Sequence, residues 1–284
     1  MRIGFAGLGV MGGPMARHLV AAGHDVAGYN RSPDKAQAWA DDHGGRFAAT
    51  VAEAATDADL FILCVGKDED VREVVTAALP ALKPGAVVVD HTTTSARIAR
   101  EMDALCGAAG VAFLDAPVSG GQAGAENGQL SVMAGGDAAA LETARPAVIA
   151  YSKAIQHMGP SGSGQLTKMV NQIAIAGVVQ GLAEAVHFAR AAGLDTDAAY
   201  DAISKGAAQS WQMDNRWKTA AAGQFEFGFA VDWMRKDLGL VLDEARANGA
   251  VLSMTALVDQ FYAEVQAMGG QRWDTSSLKA RLKP

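Results

Sequence analysis

The chain has 284 residues, 50% hydrophobic content, a formal net charge of -7 and a pI near 5.3. That suffices for one large domain or two modest ones, and an acidic surface repels phosphate backbones, which argues against a nucleic-acid partner. The two cysteines, Cys64 and Cys106, lack C-x-x-C spacing and read as free thiols of a reducing cytoplasm. The region after Met1 reads as a strand rather than a signal peptide, and no apolar run approaches the ~20 residues of a membrane span. A cytoplasmic protein without a membrane partner is expected.

The first half alternates. "RIGFAGLG" is a short strand ending in glycines, and "MGGPMARHLVAAGH" has helical spacing at Met11, Met15, Leu19 and Val20. "DVAGYNR" is a second strand. "SPDKAQAWADDHG" is a helix with Ser32 as N-cap and Pro33 at the first helical position. "DADLFILCVG" is a third strand, "DEDVREVVTAALPAL" a helix and "GAVVVDHTTT" a fourth strand, with further strands at "VAFLDAPVSG" and "LSVMAGG". Strands alternating with helices predict a parallel sheet covered on both faces. Beyond Gly164 the period changes. "QLTKMVNQIAIAGVVQGLAEAVHFARAAG" has no proline, and apolar or small residues recur at Leu166, Val170, Ile173, Gly177, Leu182, Val186 and Ala189, so it reads as one long helix closed by Gly193. The rest is helical too, from "DTDAAYDAISKG" through "TALVDQFYAEVQAMGG". The expected fold class is α/β: a Rossmann-type doubly wound parallel sheet over residues 1–163, then an all-helical domain over 164–284 built on the long helix.

Gly7-Leu8-Gly9-Val10-Met11-Gly12 matches G-x-G-x-x-G between a strand and a helix, the context a dinucleotide site requires. Gly7 permits the tight turn, Gly9 the approach of a pyrophosphate, and Gly12 close packing of helix on strand, while the helix N-terminus faces the anion. At the end of the second strand, Tyr29-Asn30-Arg31-Ser32 offers no carboxylate for a ribose 2′-hydroxyl. Arg31 suits a 2′-phosphate instead, with Asn30 and Ser32 as further donors and Lys35 adding charge. NADP is expected in preference to NAD, with NAD also accepted.

In "GPSGSGQLTKMVNQ", Gly159 and Gly164 have phosphate-loop spacing, but Gln165 and Leu166 follow where Lys and Ser/Thr belong, which excludes a triphosphate site. The glycines are expected to link the domains and let the link pass close to a ligand. Lys168 and Asn171 share a helix face at i and i+3. A helix N-terminus and burial under a nicotinamide both lower an amine's pKa, and at ~7–8 it serves as acid or base. Spacing alone leaves a solvent-facing lysine equally open. The six histidines form no metal cluster and no metal is expected. Glu184 and His187 read as a helix-face pair, and His91 as structural.

Four motifs carry a resemblance. Phe5 to Ala16 (FAGLGVMGGPMA), Asp115 to Gly121 (DAPVSGG), Gly159-x-x-Gly162-x-Gly164-x-x-x-Lys168-x-x-Asn171, and Lys236-Asp237-Leu238 resemble, in order, signatures of the β-hydroxyacid dehydrogenases, the 3-hydroxyisobutyrate dehydrogenase family. The resemblance implies Lys168 as catalytic acid/base with Asn171 placing the substrate. It implies Ser119, Gly120 and Gly121 as donors to a substrate carboxylate, Val65 and Thr93 beside the cofactor, and Lys236 closing over it. The chemistry is coherent: hydride passes to a carbonyl carbon, the oxygen takes a proton, and a fixed anion site aims the substrate. Gln172 replaces a second asparagine common in the family, and its longer side chain is expected to reach the substrate. Trp211 is expected to wall the substrate pocket or to pack in the core, and Arg216 to pair with a second anionic group. The expected reaction is NADP(H)-dependent hydride transfer to or from a short 3-hydroxy acid or its semialdehyde. The alternatives are a glyoxylate or succinic semialdehyde reductase of the same family and a non-catalytic NADPH-binding module. The apolar face Ala174, Val178, Gly181 and Ala185 suggests packing against another subunit, and relatives are dimers or tetramers.

Overall fold

The computed structural model describes residues 1–282. It divides into two compact units, Met1–Lys168 and the chain from Met169 onward, so Lys168 goes with the first.

The first unit holds nine strands: β1 (Arg2–Ala6), β2 (Asp25–Tyr29), β3 (Arg46–Phe47), β4 (Leu60–Leu63), β5 (Val87–Asp90), β6 (Ala112–Asp115), β7 (Val118–Ser119), β8 (Leu130–Gly136) and β9 (Ser152–Gly159). They form one sheet in the order β3-β2-β1-β4-β5-β6-β8-β7, with β9 on β8. Neighbours from β3 to β6 are all parallel. Strand order reverses between β1 and β4, and sheets of this class bind ligands outside the carboxyl ends of the strands at such a point. The apolar runs explain the layering, because side chains alternate across a sheet. Ile3, Phe5, Leu60, Ile62, Val87 and Val89 join one core, with Met15, Leu19 and Tyr151. Ala6, Phe61, Leu63 and Val88 join another on the opposite face, with Val75, Ile98 and Phe113. β6 and β7 hold one antiparallel register on β8, interrupted at Ala116 and Pro117.

The helices of this unit are α1 (Gly12–Ala21), α2 (Pro33–His43), α3 (Val51–Ala55), α4 (Asp68–Ala78), α5 (Ala96–Ala108), α6 (Gly121–Glu126) and α7 (Ala138–Val148). Ser32 occupies the N-cap position of α2, but its side chain caps nothing. Pro33, with its fixed φ and no N–H, starts the helix without that bond. Neither Cys64 nor Cys106 is in a disulfide, and burial pushes the Cys106 thiol up to about 12.

α8 (Ser163–Ala191) starts in the first unit and runs into the second, followed by α9 (Thr196–Ile203), α10 (Trp211–Ala222), α11 (Val231–Asn248) and α12 (Ser253–Ala267). Gly193, at φ 71°, ends α8, and Leu194 N–H donates back to the Ala189 carbonyl at 2.9 Å. Ala176, Val179 and Ala183 of α8 pack with Met234, Leu238, Val258 and Tyr262. A smaller cluster gathers Val186, Met213 and Trp217. The observed class is the expected one, a Rossmann-type sheet followed by an all-helical domain.

α8 corrects one expectation. At 29 residues, with an 18-residue window of mean hydropathy 1.3, it is long and apolar enough by composition to cross a membrane. Its small residues and alanines raised the hydropathy without forming the unbroken run sought in the sequence. Gln165, Lys168, Gln172 and Gln180 are all buried within the protein, so the helix turns polar side chains into the protein interior. Glu184 is not paired with His187 as expected; it accepts from Gln180 Nε2 one turn earlier, at 2.5 Å.

Candidate functional site

In the first unit the site residues gather at the carboxyl ends of the parallel strands. Gly7 sits at φ 97° and donates its N–H to the Tyr29 carbonyl at 2.9 Å. A Cβ at Gly7 would overlap the Cys64 carbonyl, and one at Gly12 the Gly7 carbonyl. A Cβ at Gly9 would meet nothing within 4 Å. Two of the three glycines are thus required by packing, while the middle one lines open space beside the start of α1. That arrangement fits a dinucleotide pyrophosphate.

Asn30 differs from expectation. Its Oδ1 accepts from Leu8 N–H at 3.1 Å and its Nδ2 donates to the Ser32 carbonyl at 3.3 Å. The side chain therefore pins the glycine loop to the end of β2 instead of standing ready for a 2′-phosphate. Arg31 remains the exposed cation: its side chain is 90% accessible and lies 3.8 Å from Asp70, a loose surface pair. Ser32 and Val10 are also exposed, and Leu8 is buried.

The loop after β5 is held from two sides. Thr92 donates its N–H to Asp90 Oδ1 at 2.8 Å and accepts from Val65 N–H on its Oγ1 at 3.0 Å. Gln165 donates from Nε2 to the Thr92 carbonyl at 2.7 Å and accepts from Thr94 N–H on Oε1 at 3.0 Å. This fully buried amide brackets Thr93, which stays partly exposed between two buried threonines. His91 is structural as expected: Nδ1 lies 2.6 Å from the Ala116 carbonyl and Nε2 lies 2.7 Å from the Tyr151 hydroxyl. A carbonyl only accepts, so Nδ1 carries the proton and Tyr151 donates to Nε2. Burial lowers the His91 pKa to about 4, so the ring is neutral.

The same side of the sheet anchors α8. Asp115 is fully buried and accepts from Gly162 N–H at 2.7 Å and Gln165 N–H at 2.9 Å. Burial raises its carboxyl to about 6, although these N–H groups favour the ionised form. Gly164 leaves no room for a Cβ, because the Asp115 and Met133 carbonyls occupy that space. Gly164 thus lets the helix start close on the sheet, against backbone of β6 and β8.

Lys168 comes one turn after Gln165. It is 8% exposed and donates from Nζ to the Val118 carbonyl at 3.0 Å, which excludes a solvent-facing lysine. Val118 leads directly into Ser119, Gly120 and Gly121, and the two glycines adopt φ 132° and 60°. L side chains rarely take these conformations, so the turn keeps its backbone bare. The first unit thus brings together the glycine loop, Val65, Thr93, the Ser119–Gly121 turn and Lys168.

The second unit holds the remaining candidates. Asn171 Nδ2 donates to Gln172 Oε1 at 2.8 Å, and Gln172 Nε2 donates to Asp237 Oδ2 at 2.7 Å. Asp237 Oδ1 pairs with Lys236 Nζ at 3.1 Å, and Lys236 lies over the Trp233 ring at 5.8 Å. Gln172 is 2% exposed with both amide ends engaged inside the unit, so it does not reach outward as expected. Its extra methylene spans from Asn171 to Asp237. Trp211 is 55% exposed and is not a core residue. Arg216 stacks between Trp211 and Phe227 at 4.9 and 5.0 Å and donates to Asp274 at 3.0 Å, so a protein carboxylate takes the place of the anticipated second anion. Among the described residues no group of three or more metal-ligating side chains occurs.

Asp90, Asp115, Gln165 and Asp237 were not assigned roles from the sequence. The available signal was positional: Gln165 precedes Lys168 by one turn, Asp90 and Asp115 end strands, and Asp115 and Asp237 stand inside motifs quoted above.

Residues 2–159 match the family described as the NAD binding domain of 6-phosphogluconate dehydrogenase. Residues 162–282 match the NAD-binding family of NADP-dependent 3-hydroxyisobutyrate dehydrogenase. The chain is 60% identical over 285 residues to an uncharacterized oxidoreductase of Shewanella frigidimarina, covering 99% of this chain and 98% of that protein. Among solved structures it is similar to Mycobacterium tuberculosis 3-hydroxyisobutyrate dehydrogenase with L-serine, at 35% identity and TM-score 0.91 over 99% of each chain. It is also similar to a protein solved in complex with NADP+ and 2-OPP, at 26% identity and TM-score 0.89, over 99% of this chain and 100% of that one.

Proposed function

Because this chain belongs to the 3-hydroxyisobutyrate dehydrogenase family and is an NAD(P)-dependent 3-hydroxyacid dehydrogenase, we propose that it oxidises a short 3-hydroxy acid to its semialdehyde, or the reverse, with NADP(H) preferred and Lys168 moving the proton. The observation that carries this reading is the buried Lys168 amine at 3.0 Å from the Val118 carbonyl, at the entry to the Ser119-Gly120-Gly121 turn.

The nicotinamide supplies or accepts the hydride. The protein does the rest. The glycine loop and the N-terminus of α1 take the pyrophosphate, with Val65 and Thr93 toward the ribose of the nicotinamide. Arg31, with Ser32 beside it, receives the 2′-phosphate, which supports NADP over NAD. Ser119, Gly120 and Gly121 receive the substrate carboxylate on hydroxyl and backbone N–H groups. That fixes the hydroxyl-bearing carbon relative to Lys168 Nζ. In reduction Nζ–H donates to the carbonyl oxygen as charge develops there, and in oxidation the amine accepts the hydroxyl proton. The Val118 carbonyl holds Nζ in place, and Gln165 and Asp115 hold the helix turn behind it. Arg216 is already engaged by Asp274, which favours a substrate with one carboxylate.

The reading extends to a cytoplasmic homo-oligomer. Val170 and Phe188 are 65% and 70% exposed along α8, with Val178 between them at 38%, and such a stripe suits a second copy of the chain.

The test follows absorbance at 340 nm with NADPH or NADP+ against a panel of semialdehydes and 3-hydroxy acids. Turnover in the wild type, and its loss in Lys168→Ala with NADPH affinity retained, is the expected result. Cofactor binding without turnover would identify a non-catalytic module, and unchanged turnover in Lys168→Ala would remove the lysine from the mechanism.

A further inference from the structure

A side-chain amide has two similar ends, and normally its orientation is a choice. In the second unit that choice is removed. Asp237, paired with Lys236 at 3.1 Å, presents carboxylate oxygens, which only accept. The end of Gln172 that faces Asp237 Oδ2 at 2.7 Å must therefore be its NH2. The Met234 sulfur lies 3.6 Å from the same nitrogen, a weak acceptor that suits a donor and not an oxygen. Gln172 Oε1 is thereby turned toward Asn171 at 2.8 Å and must receive an N–H. So Asn171 commits one of its two N–H groups to Gln172 and turns its own Oδ1 away from that contact. Gln172 and Asp237 are each 2% exposed, so water offers no alternative partner, and a reversed amide would set two acceptors face to face.

We infer that Asp237 and Gln172 are positioning residues that lock the Asn171 amide with its oxygen outward, so that Asn171 serves the substrate as a hydrogen-bond acceptor. This deepens the dehydrogenase reading and rests on it. The Oδ1 acceptor of Asn171 takes a hydrogen bond from the hydroxyl of a hydroxy acid and repels a carboxylate oxygen set against it. It therefore fits the reacting end of the substrate and not the anionic end.

The test exchanges the polarity of the buried bond. Gln172→Glu alone sets two carboxylates against each other. Adding Asp237→Asn restores one donor and one acceptor at that contact, still offers an oxygen to Asn171, and leaves the net charge of the cluster unchanged. Gln172→Met keeps the volume and removes both bonds. Thermal unfolding midpoints and kcat/KM for the hydroxy acid are read on each variant, on the wild type and on Lys168→Ala. The expected result is a fall in kcat/KM of roughly tenfold or more in Gln172→Glu and in Gln172→Met, the scale of a lost hydrogen bond to a charged group. The double variant should recover to within about threefold of the wild type, below the cost of one such bond. A double variant no more active than Gln172→Glu alone overturns the inference. So does recovery of the unfolding midpoint without recovery of kcat/KM, because the bond is then only structural, and so does wild-type kcat/KM in Gln172→Met. Failure of the dehydrogenase reading is separately visible, as an inert wild type or an active Lys168→Ala, and it takes the inference with it.

Discussion

Asp90 offers the sharpest physical test of this fold. It is fully buried at the end of β5, its Oδ1 accepts from Thr92 N–H at 2.8 Å, and its Oδ2 has no hydrogen-bond partner among the described residues. Burial raises its pKa from 3.8 to about 7 against the opposing bonds from Thr92. A carboxyl with a raised folded pKa stabilises the fold fully below pH 3.8, and that contribution is lost as pH rises through about 7. The whole shift is about 3 units at 1.36 kcal/mol each, or about 4 kcal/mol, of which about 3 kcal/mol falls between pH 5 and 8.5. Asn is close in shape to the protonated acid and cannot ionise. Asp90→Asn should therefore be stabilising by about 1–2 kcal/mol at pH 5 and by about 4 kcal/mol at pH 8.5, so its advantage over wild type grows by about 3 kcal/mol, or about 5 °C or more in the melting midpoint, between the two pH values. The assay is a pair of thermal melts at the two pH values on both proteins. His91, with its pKa lowered to about 4, gives the opposite slope: its contribution is present above pH 6.5 and lost as pH falls toward 4. Both proteins share that term, so it cancels. Parallel curves for the two proteins from pH 5 to 8.5 would refute the claim that the fold bears an ionisation cost at Asp90.

Gly9→Ala should leave the melting midpoint within about 1 °C of wild type, because its Cβ meets nothing within 4 Å, while NADPH affinity falls roughly tenfold by fluorescence titration. Arg31→Asp should move the ratio of NADPH to NADH efficiency by about 100-fold toward NADH, the scale of exchanging a charge-assisted phosphate contact for repulsion, and an unchanged ratio would remove Arg31 from cofactor choice. Gln165→Leu strands the Thr92 carbonyl and the Thr94 N–H, at about 1–3 kcal/mol each. Chemical unfolding and NADPH titration should both weaken, and a stability loss with cofactor affinity intact would show that the loop around Thr93 keeps its place unaided.

Legibility in the sequence followed burial. "LFIL" and "VVVD" were readable because strands covered on both faces are apolar throughout. β9 was not, since "SKAIQHMG" mixes polar with apolar positions and lies mostly exposed at the end of the sheet. α5 and α7 were passed over although Ser95 and Asp137 accept the capping bonds from Ile98 and Ala140 N–H. For the site, glycine spacing revealed the loop and the turn, because a backbone requirement leaves a mark on residue type. Buried amides and carboxylates leave less: nothing about Gln165 in the sequence distinguishes a clamp from a surface residue until its partners are known, and Asp237 was marked only by its place in Lys236-Asp237-Leu238. Asn30 shows the converse, a polar residue at a cofactor position whose hydrogen bonds go to its own loop.

The compact unit that carries the glycine loop and Thr93 ends at Lys168 itself. Lys168, which the proposed function makes the proton donor, and the glycine loop therefore belong to a single frame, tied by Asp115 and Gln165 across the first turn of α8. On the proposed function, the distance between amine and cofactor is then set within the sheet and loops that precede residue 168.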